Sequence, residues 1–468
     1  MIRMPMGASS PRYTEPSKKV SDQVMYNSQT DTSQRRTRPR QAPFNPGDLL
    51  IMSIPALNAV SINLFGQLYG SDLISLLLLP WLMLLRGKRL LDPFPRMILL
   101  LGIVWFLGQI LTDNIRGTNF DDYSRRWANI FFFLTNFSTI YLLLIVARRR
   151  LVFFAIGIAI GILAGGMISP NLYEAGQPWK FGYGVSLLWF APLLGVYAMS
   201  RKTGDRSMAA AIMVFAGLFY VIMGSRSLGG VCVMAGALLI GQGVVARGGN
   251  RLASQYGLPF AIVGILMSGL LPLQLWSFAA GSGMLGEYQK QKYEVVASSS
   301  LIGIIAGGRS EAFTSTRAIA DSPIIGHGSW ARDRQYMIDA IARSRAAGIQ
   351  PLGNAEFNDL IPTHSHLFGS WVEGGIGGGI FWIFVMALAM RALMALLSSR
   401  DSYSPLLAVS LLLLAWDILF SPFSGDRRCI TPFLIMCAHY VLTNYKKPQR
   451  PKANNRRPRY APSEPGHI

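Results

Sequence analysis

The chain is poor in the residues on which many enzymes and secreted domains rely. Only 3 of its 468 residues are cysteine. Cys232, Cys429 and Cys437 fall in or beside apolar segments with no CxxC spacing, which excludes a disulfide framework or a paired-cysteine metal knuckle. Histidine is scarce as well, at 5 residues, and no HExxH places two imidazoles on one helix face. Charged residues make up 15% of the chain, too few to cover two or three soluble domains of this combined length. Acids are scarcest, with 24 Asp and Glu against 44 Lys and Arg and a formal net charge of +20. No internal repeat is visible, so the paired halves of many transporters are not indicated.

Apolar length is what the chain has in excess. Hydrophobic residues account for 51% of it, and runs able to span a bilayer fall at 49–69, 70–85, 97–112, 127–147, 151–169, 181–199, 208–224, 228–246, 256–276, 366–390, 403–420 and 430–445. The expected fold is therefore an all-α polytopic membrane protein of about twelve transmembrane helices. The second and third runs are short for a hydrocarbon core about 30 Å thick, so either Arg86 and Arg96 snorkel or those helices extend past the apolar run. The first run follows about 45 polar residues rich in Ser, Thr, Arg and Pro. Residues 1–47 are expected to form a disordered basic cytoplasmic tail, and a cleavable signal peptide is not expected.

The basic excess does not read as a nucleic-acid footprint, because it sits in the two tails and in short alternate loops. Arg35, Arg36, Arg38 and Arg40 precede the first span, and Lys446, Lys447, Arg450 and Lys452 follow the last. The loops at 86–96, 148–150 and 201–206 fall on the same side, which the positive-inside rule makes cytoplasmic. The expected organisation is helices 1 to 9 over 48–276, one large loop over 277–365 on the opposite side, helices 10 to 12 over 366–445, and a second basic tail over 446–468. Between 277 and 363 eight Lys or Arg are matched by eight Asp or Glu, as in a small folded cap. "SEAFTSTRAIADSP" reads as one cap helix beginning near Ser310 and stopped before Pro323, and "RDRQYMIDAIARSRAAG" as a second closed by Gly348.

Few residues in this apolar chain carry chemistry. Arg309, at the start of the first cap helix, combines a guanidinium with unpaired backbone N–H groups, a setting that suits an anion as well as a surface ion pair with Glu311. Arg226, in "MGSRSLGG", marks the outward turn between the seventh and eighth spans, either as an interfacial anchor or as a ligand-binding cation beside small residues. His364 stands where the cap re-enters the membrane, a place for a general base. His366 and His327 are equal candidates on these grounds, and a hydrogen-bonded structural histidine is the plainer reading for any of the three. Glu373 and Asp417 are carboxylates inside apparent spans, best read as ties to neighbouring arginines. The glycines at 374, 375, 377, 378 and 379 read as permitting close helix packing.

His364 and Ser365, then nine residues "HLFGSWVEG", then Gly375, Ile376, Gly377 and Gly378 resemble the histidine, Asn/Ser/Gln, nine-residue, GxxG signature of the bacterial O-antigen ligase and O-antigen polymerase superfamily. That spacing selects His364 over His366. "GSRS" resembles the family's outward SR element, carried onto Ser225 and Arg226, and "GGRSEAFTSTRAIADSPIIGHGSW" resembles the opening of its large periplasmic loop, with Arg309 in the place of the loop arginine. Phe313 stands near where relatives often carry tryptophan. The specific motifs cover about 50 residues.

The resemblance implies a GT-C-like membrane glycosyltransferase of the bacterial inner membrane, with both termini cytoplasmic and the cap periplasmic. The implied donor is an undecaprenyl-diphosphate-linked glycan and the implied acceptor a lipid A core sugar or another glycan, in lipopolysaccharide or exopolysaccharide biosynthesis. His364 is the implied base, Arg226 and Arg309 the diphosphate ligands, and Ser225, Ser365, Glu373, Gly375 and Gly378 supporting residues. No cofactor, metal or nucleic acid is expected, and polysaccharide assembly proteins are candidate partners besides the bilayer. No DxD cluster stands on the outward side to hold a metal, and two arginines suffice to neutralise a diphosphate. A ligase, a polymerase and, more distantly, a lipid-linked oligosaccharide transporter or flippase remain the alternatives.

Overall fold

An apolar chain in lipid must satisfy its backbone internally, and helices do this within one segment. The computed structural model describes residues 45–63, 66–168, 170–201, 205–248, 276–284, 290, 293–294, 310–346, 359–399, 401–423 and 425–444. Residues 1–44 of the first expected tail, all of the second, almost all of the ninth expected span, Arg309 and Gly348 lie outside the described residues, and α1 begins at Pro46, inside the expected tail boundary. From Pro46 onward the described residues belong to one unit.

The helices are α1 (Pro46–Ala56), α2 (Gly70–Arg86), α3 (Pro93–Arg116), α4 (Phe120–Leu144), α5 (Arg150–Ile168), α6 (Leu172–Gly176), α7 (Leu187–Ser200), α8 (Arg206–Ile222), α9 (Arg226–Gly248), α10 (Ser310–Asp321), α11 (Arg334–Ala346), α12 (His366–Gly374), α13 (Ile376–Leu397), α14 (Ser404–Phe420) and α15 (Arg427–Asn444). Among the described residues six helical segments are long and apolar enough to cross a membrane: Pro93–Arg116, Phe120–Leu144, Arg150–Ile168, Tyr183–Ser200, Arg226–Val245 and Ile376–Leu397. α8 and α14 are apolar but shorter, at 17 residues each. Leu77, Leu84, Phe215 and Ile168 point outward with most of their surface exposed, as side chains facing lipid tails would. The core is aromatic, with Trp105 stacked on Phe381 at 5.2 Å and Phe154 on Phe433 at 4.9 Å. α4, whose apolar window is 72% buried against 28% for α3, lies inside the bundle.

The two ends of the bundle differ. At one, Arg148 pairs with Asp401, Arg149 lies 2.9 Å from Asp48, and Gln242 near the end of α9 donates to the Leu396 carbonyl at 2.7 Å. At the other lie the α3–α4, α8–α9 and α14–α15 turns and the docked part of the cap.

The structure revises two of the expected runs and decides between the alternatives for a third. The run at 49–69 is not one helix: α1 has 11 residues, about 16 Å of rise, followed by a 3-10 turn and an antiparallel hairpin pairing β1 (Ser61–Asn63) with β2 (Gln67–Tyr69). Arg428 pins the hairpin, donating to the Gln67 carbonyl at 2.7 Å and pairing with Asp72 at 2.7 Å. The third helix is not short, because α3 extends over 24 residues. The run at 366–390 is split at Gly375, which has φ 65° and separates α12 from α13.

Both expected cap helices form, as α10 and α11. The Tyr336 hydroxyl on α11 donates to Asp321 on α10 at 2.5 Å. Burial, reinforced by that bond, pushes the phenol up to about 12.

Candidate functional site

The site grows out of the loop that follows α10, residues 322–330, which α3 grips. Arg116 donates to the Gly326 carbonyl at 2.7 and 2.9 Å, and Asp113 accepts from the Ser329 backbone N–H at 2.6 Å and its hydroxyl at 2.7 Å. On its other side this loop bonds to the break between α12 and α13. The His327 N–H donates to the Val372 carbonyl at 2.7 Å, Gly328 N–H to Glu373 at 3.1 Å, and Ile376 N–H returns to Ile324 at 3.1 Å. A Cβ on Gly375 would collide with the Ile324 carbonyl oxygen, and its left-handed backbone disfavours a side chain in any case. Gly378 similarly abuts the Ser370 carbonyl. The glycine run therefore does more than let helices pack closely. It breaks the helix and admits the cap loop to the exposed backbone.

The segment leading into α12 returns from the cap. Ile361 N–H donates to Ala331 at 2.9 Å, and Ser315 of α10 donates to the Pro362 carbonyl at 2.8 Å. Ser365 caps α12 by accepting from Phe368 N–H at 3.0 Å, and its hydroxyl donates to the Ile418 carbonyl of α14 at 2.7 Å.

Three candidate histidines separate here. His366 is fully buried, with Nδ1 2.6 Å from the Ser421 carbonyl and its ring edge-on to Trp382 and Phe423. His327 is half-buried, with Nε2 2.7 Å from the Ala318 carbonyl. His364 alone of the three keeps an exposed side chain, at 57%, and its Nδ1 lies 3.0 Å from a carboxylate oxygen of Glu311. Glu311, in the first turn of α10, has no individual mark in the sequence beyond its place beside Arg309. Only the fold brings it to His364.

Glu373 is buried and ion-paired with Arg126 of α4, and Asp417 is buried and ion-paired with Arg427. Both are ties to arginine. Arg126 itself carries no sequence signal, because it sits beside Arg125 in the polar opening turns of α4.

Arg226 opens α9 after a turn in which Gly224 has φ 79°. Its guanidinium carbon stands 4.1 Å above the ring of the fully buried Trp276, a cation–π seat. Ser225 is buried. A cavity of about 470 Å³ adjoins this turn, lined by Gln177, Pro178, Trp179, Lys180, Met223 and Gly224. α9 runs from Arg226 to the α13–α14 turn, where Gln242 bonds Leu396, and α14 runs back to the Ile418 carbonyl that holds Ser365. Arg226 and His364 consequently occupy the same end of the bundle. Among the described residues no hydrogen bond or ion pair joins them.

No protein-family model matches this chain, and no curated protein matches it.

Proposed function

We propose that the protein is an O-antigen ligase-like inverting glycosyltransferase that moves glycan from undecaprenyl diphosphate to a sugar hydroxyl, as a member of the O-antigen ligase and polymerase superfamily. In this reading about twelve spans cross the inner membrane, both termini are cytoplasmic and the cap is periplasmic. The observation that carries it is the accessible His364 imidazole standing one residue before Ser365, the N-cap of the helix that is broken at Gly375. In this reading the spacing seen in the sequence serves as one unit of base, helix cap and loop-binding break.

The chemistry follows from the groups present. His364 removes the acceptor hydroxyl proton, the oxygen attacks the anomeric carbon, and the bond to the lipid diphosphate breaks with its electron pair leaving on oxygen. Arg226 and Arg309 offset the charge that develops on the diphosphate. The acceptor decides between the two family activities: lipid A core makes a ligase, the end of another lipid-linked repeat a polymerase. The ligase label is favoured because the histidine-serine, nine-residue, GxxG match is strongest there. A transporter would want membrane carboxylates open to its cargo, whereas Glu373 and Asp417 are both tied to arginines.

The test is transfer by purified protein from a synthetic undecaprenyl-diphosphate oligosaccharide in EDTA, with lipid A core and repeat-unit acceptors offered separately. Product formation that requires His364 is expected. Undiminished turnover by His364→Ala would remove the mechanism, and donor binding without transfer to either acceptor would favour the transporter.

A further inference from the structure

We propose that Glu311 is the positioning residue of His364. The cap supplies the carboxylate that holds the imidazole in the tautomer whose Nε2 accepts a proton. This rests on the reading of His364 as a general base. The Nδ1 to carboxylate separation of 3.0 Å is a hydrogen-bond distance. An ionised carboxylate only accepts, so the hydrogen between them belongs to Nδ1. A neutral ring with Nδ1–H has its lone pair on Nε2, at the far side of the ring from Glu311. A base lacking that restraint would spend part of its time with Nε2 already protonated and unable to act.

An exposed ion pair is normally weak because two flexible side chains must be held together. Here the two backbones are already fixed to one another. The Ser315 hydroxyl, one turn along α10 from Glu311, shares its single hydrogen between the Glu311 carbonyl at 2.7 Å and the Pro362 carbonyl at 2.8 Å, and so sits between α10 and the segment that leads into His364. On the other side of His364, Ser365 is held by α14 at 2.7 Å. The residues flanking His364 and the turn bearing Glu311 are therefore held near one another before the side chains meet, so pairing costs side-chain rotamer freedom and not the closing of a backbone loop.

In the step itself, the acceptor O–H proton passes to Nε2, the acceptor oxygen bonds to the anomeric carbon, and the carbon–oxygen bond to diphosphate breaks. The Nδ1 hydrogen stays where it is. The imidazolium formed faces the Glu311 carboxylate and afterwards loses its Nε2 proton to water.

The test uses the full chain with ¹⁵N-labelled histidine, the His364 signal being assigned by its loss in His364→Gln. At a pH where the ring is neutral, wild type is expected to show the Nδ1–H tautomer and Glu311→Ala a mixture. In transfer assays Glu311→Ala and Glu311→Gln are expected to lower kcat about 10- to 100-fold, with the acceptor KM unchanged, and Glu311→Asp to recover part of the loss. An Nε2–H tautomer in wild type, or an unchanged tautomer and kcat in Glu311→Ala, would overturn the proposal. If the tautomer depends on Glu311 while wild type transfers no glycan, the positioning role stands and the glycosyltransfer reading falls.

Discussion

Two ion pairs hang from one short stretch of chain, the first at His364 and the second at Glu373. Glu373 meets Arg126 with both side chains about nine-tenths buried, whereas His364 meets Glu311 with both at least one-third exposed. The difference is in what water is allowed to do. A buried pair must be complete, because either partner alone is an uncompensated charge in a poor solvent for it. A pair open to solvent contributes little to stability, because water competes for both partners. One stretch thus carries a buried fastening at Glu373 and, in the proposed reading, the general base at His364.

The largest effects should separate these roles. His364→Ala is expected to slow transfer by about 100- to 10,000-fold while leaving thermal unfolding in detergent unchanged. Glu373→Ala should do the reverse, costing about 3–5 kcal/mol of stability through the orphaned Arg126. The Arg126→Gln/Glu373→Gln double variant should recover part of that loss. A Glu373→Ala protein as stable as wild type would mean that water reaches Arg126 and that the two pairs do not differ in kind.

Gly375→Ala comes next, at about 1–3 kcal/mol for the backbone alone and more if Ile324 cannot withdraw. Because the collision displaces the cap loop, transfer should fall with stability. Asp113→Ala acts on the same loop from the other side. It deprives the Ser329 N–H and hydroxyl and the Trp127 indole N–H of their acceptor, at about 1–3 kcal/mol for a buried donor left unpaired. The expected signature is faster hydrogen exchange at 322–330, with slower transfer, since that loop anchors the helix bearing Glu311.

How much of this could be read from sequence follows the range of each interaction. The cap helices were legible because Ala312, Phe313, Thr316 and Ile319 repeat at helical spacing with a proline after them. His364, Ser365 and the GxxG glycines were legible as a pattern of spacing, since all lie within one short segment. The hairpin at 61–69 was not, because Ile62, Leu64, Phe65 and Leu68 let the apolar run that begins at Leu49 read on through it. The function of Gly375 was not either: its constraint is the Ile324 carbonyl, about fifty residues earlier in the chain. Arg126 with Glu373 and Glu311 with His364 were invisible for the same reason, being partners only after the helices have packed.

The smallest expected effect gives the sharpest check on the contrast. Tyr336→Phe removes one hydroxyl from the α10–α11 contact while leaving Glu311, His364 and the 322–330 loop untouched. Asp321 remains open to water, which can replace the lost donor, so the cost should be about 1 kcal/mol, seen as faster hydrogen exchange in α11. The sign of the pH effect agrees. A tyrosine whose folded value is raised to about 12 adds stability that is present below its unfolded value near 10 and is lost as pH rises through about 12. Wild type and Tyr336→Phe should therefore converge only in strong alkali. Transfer by Tyr336→Phe should equal that of wild type. If it falls as far as in Glu311→Ala, the rigidity of the whole cap sets the base, and the exposed pair is a fastening like the buried one.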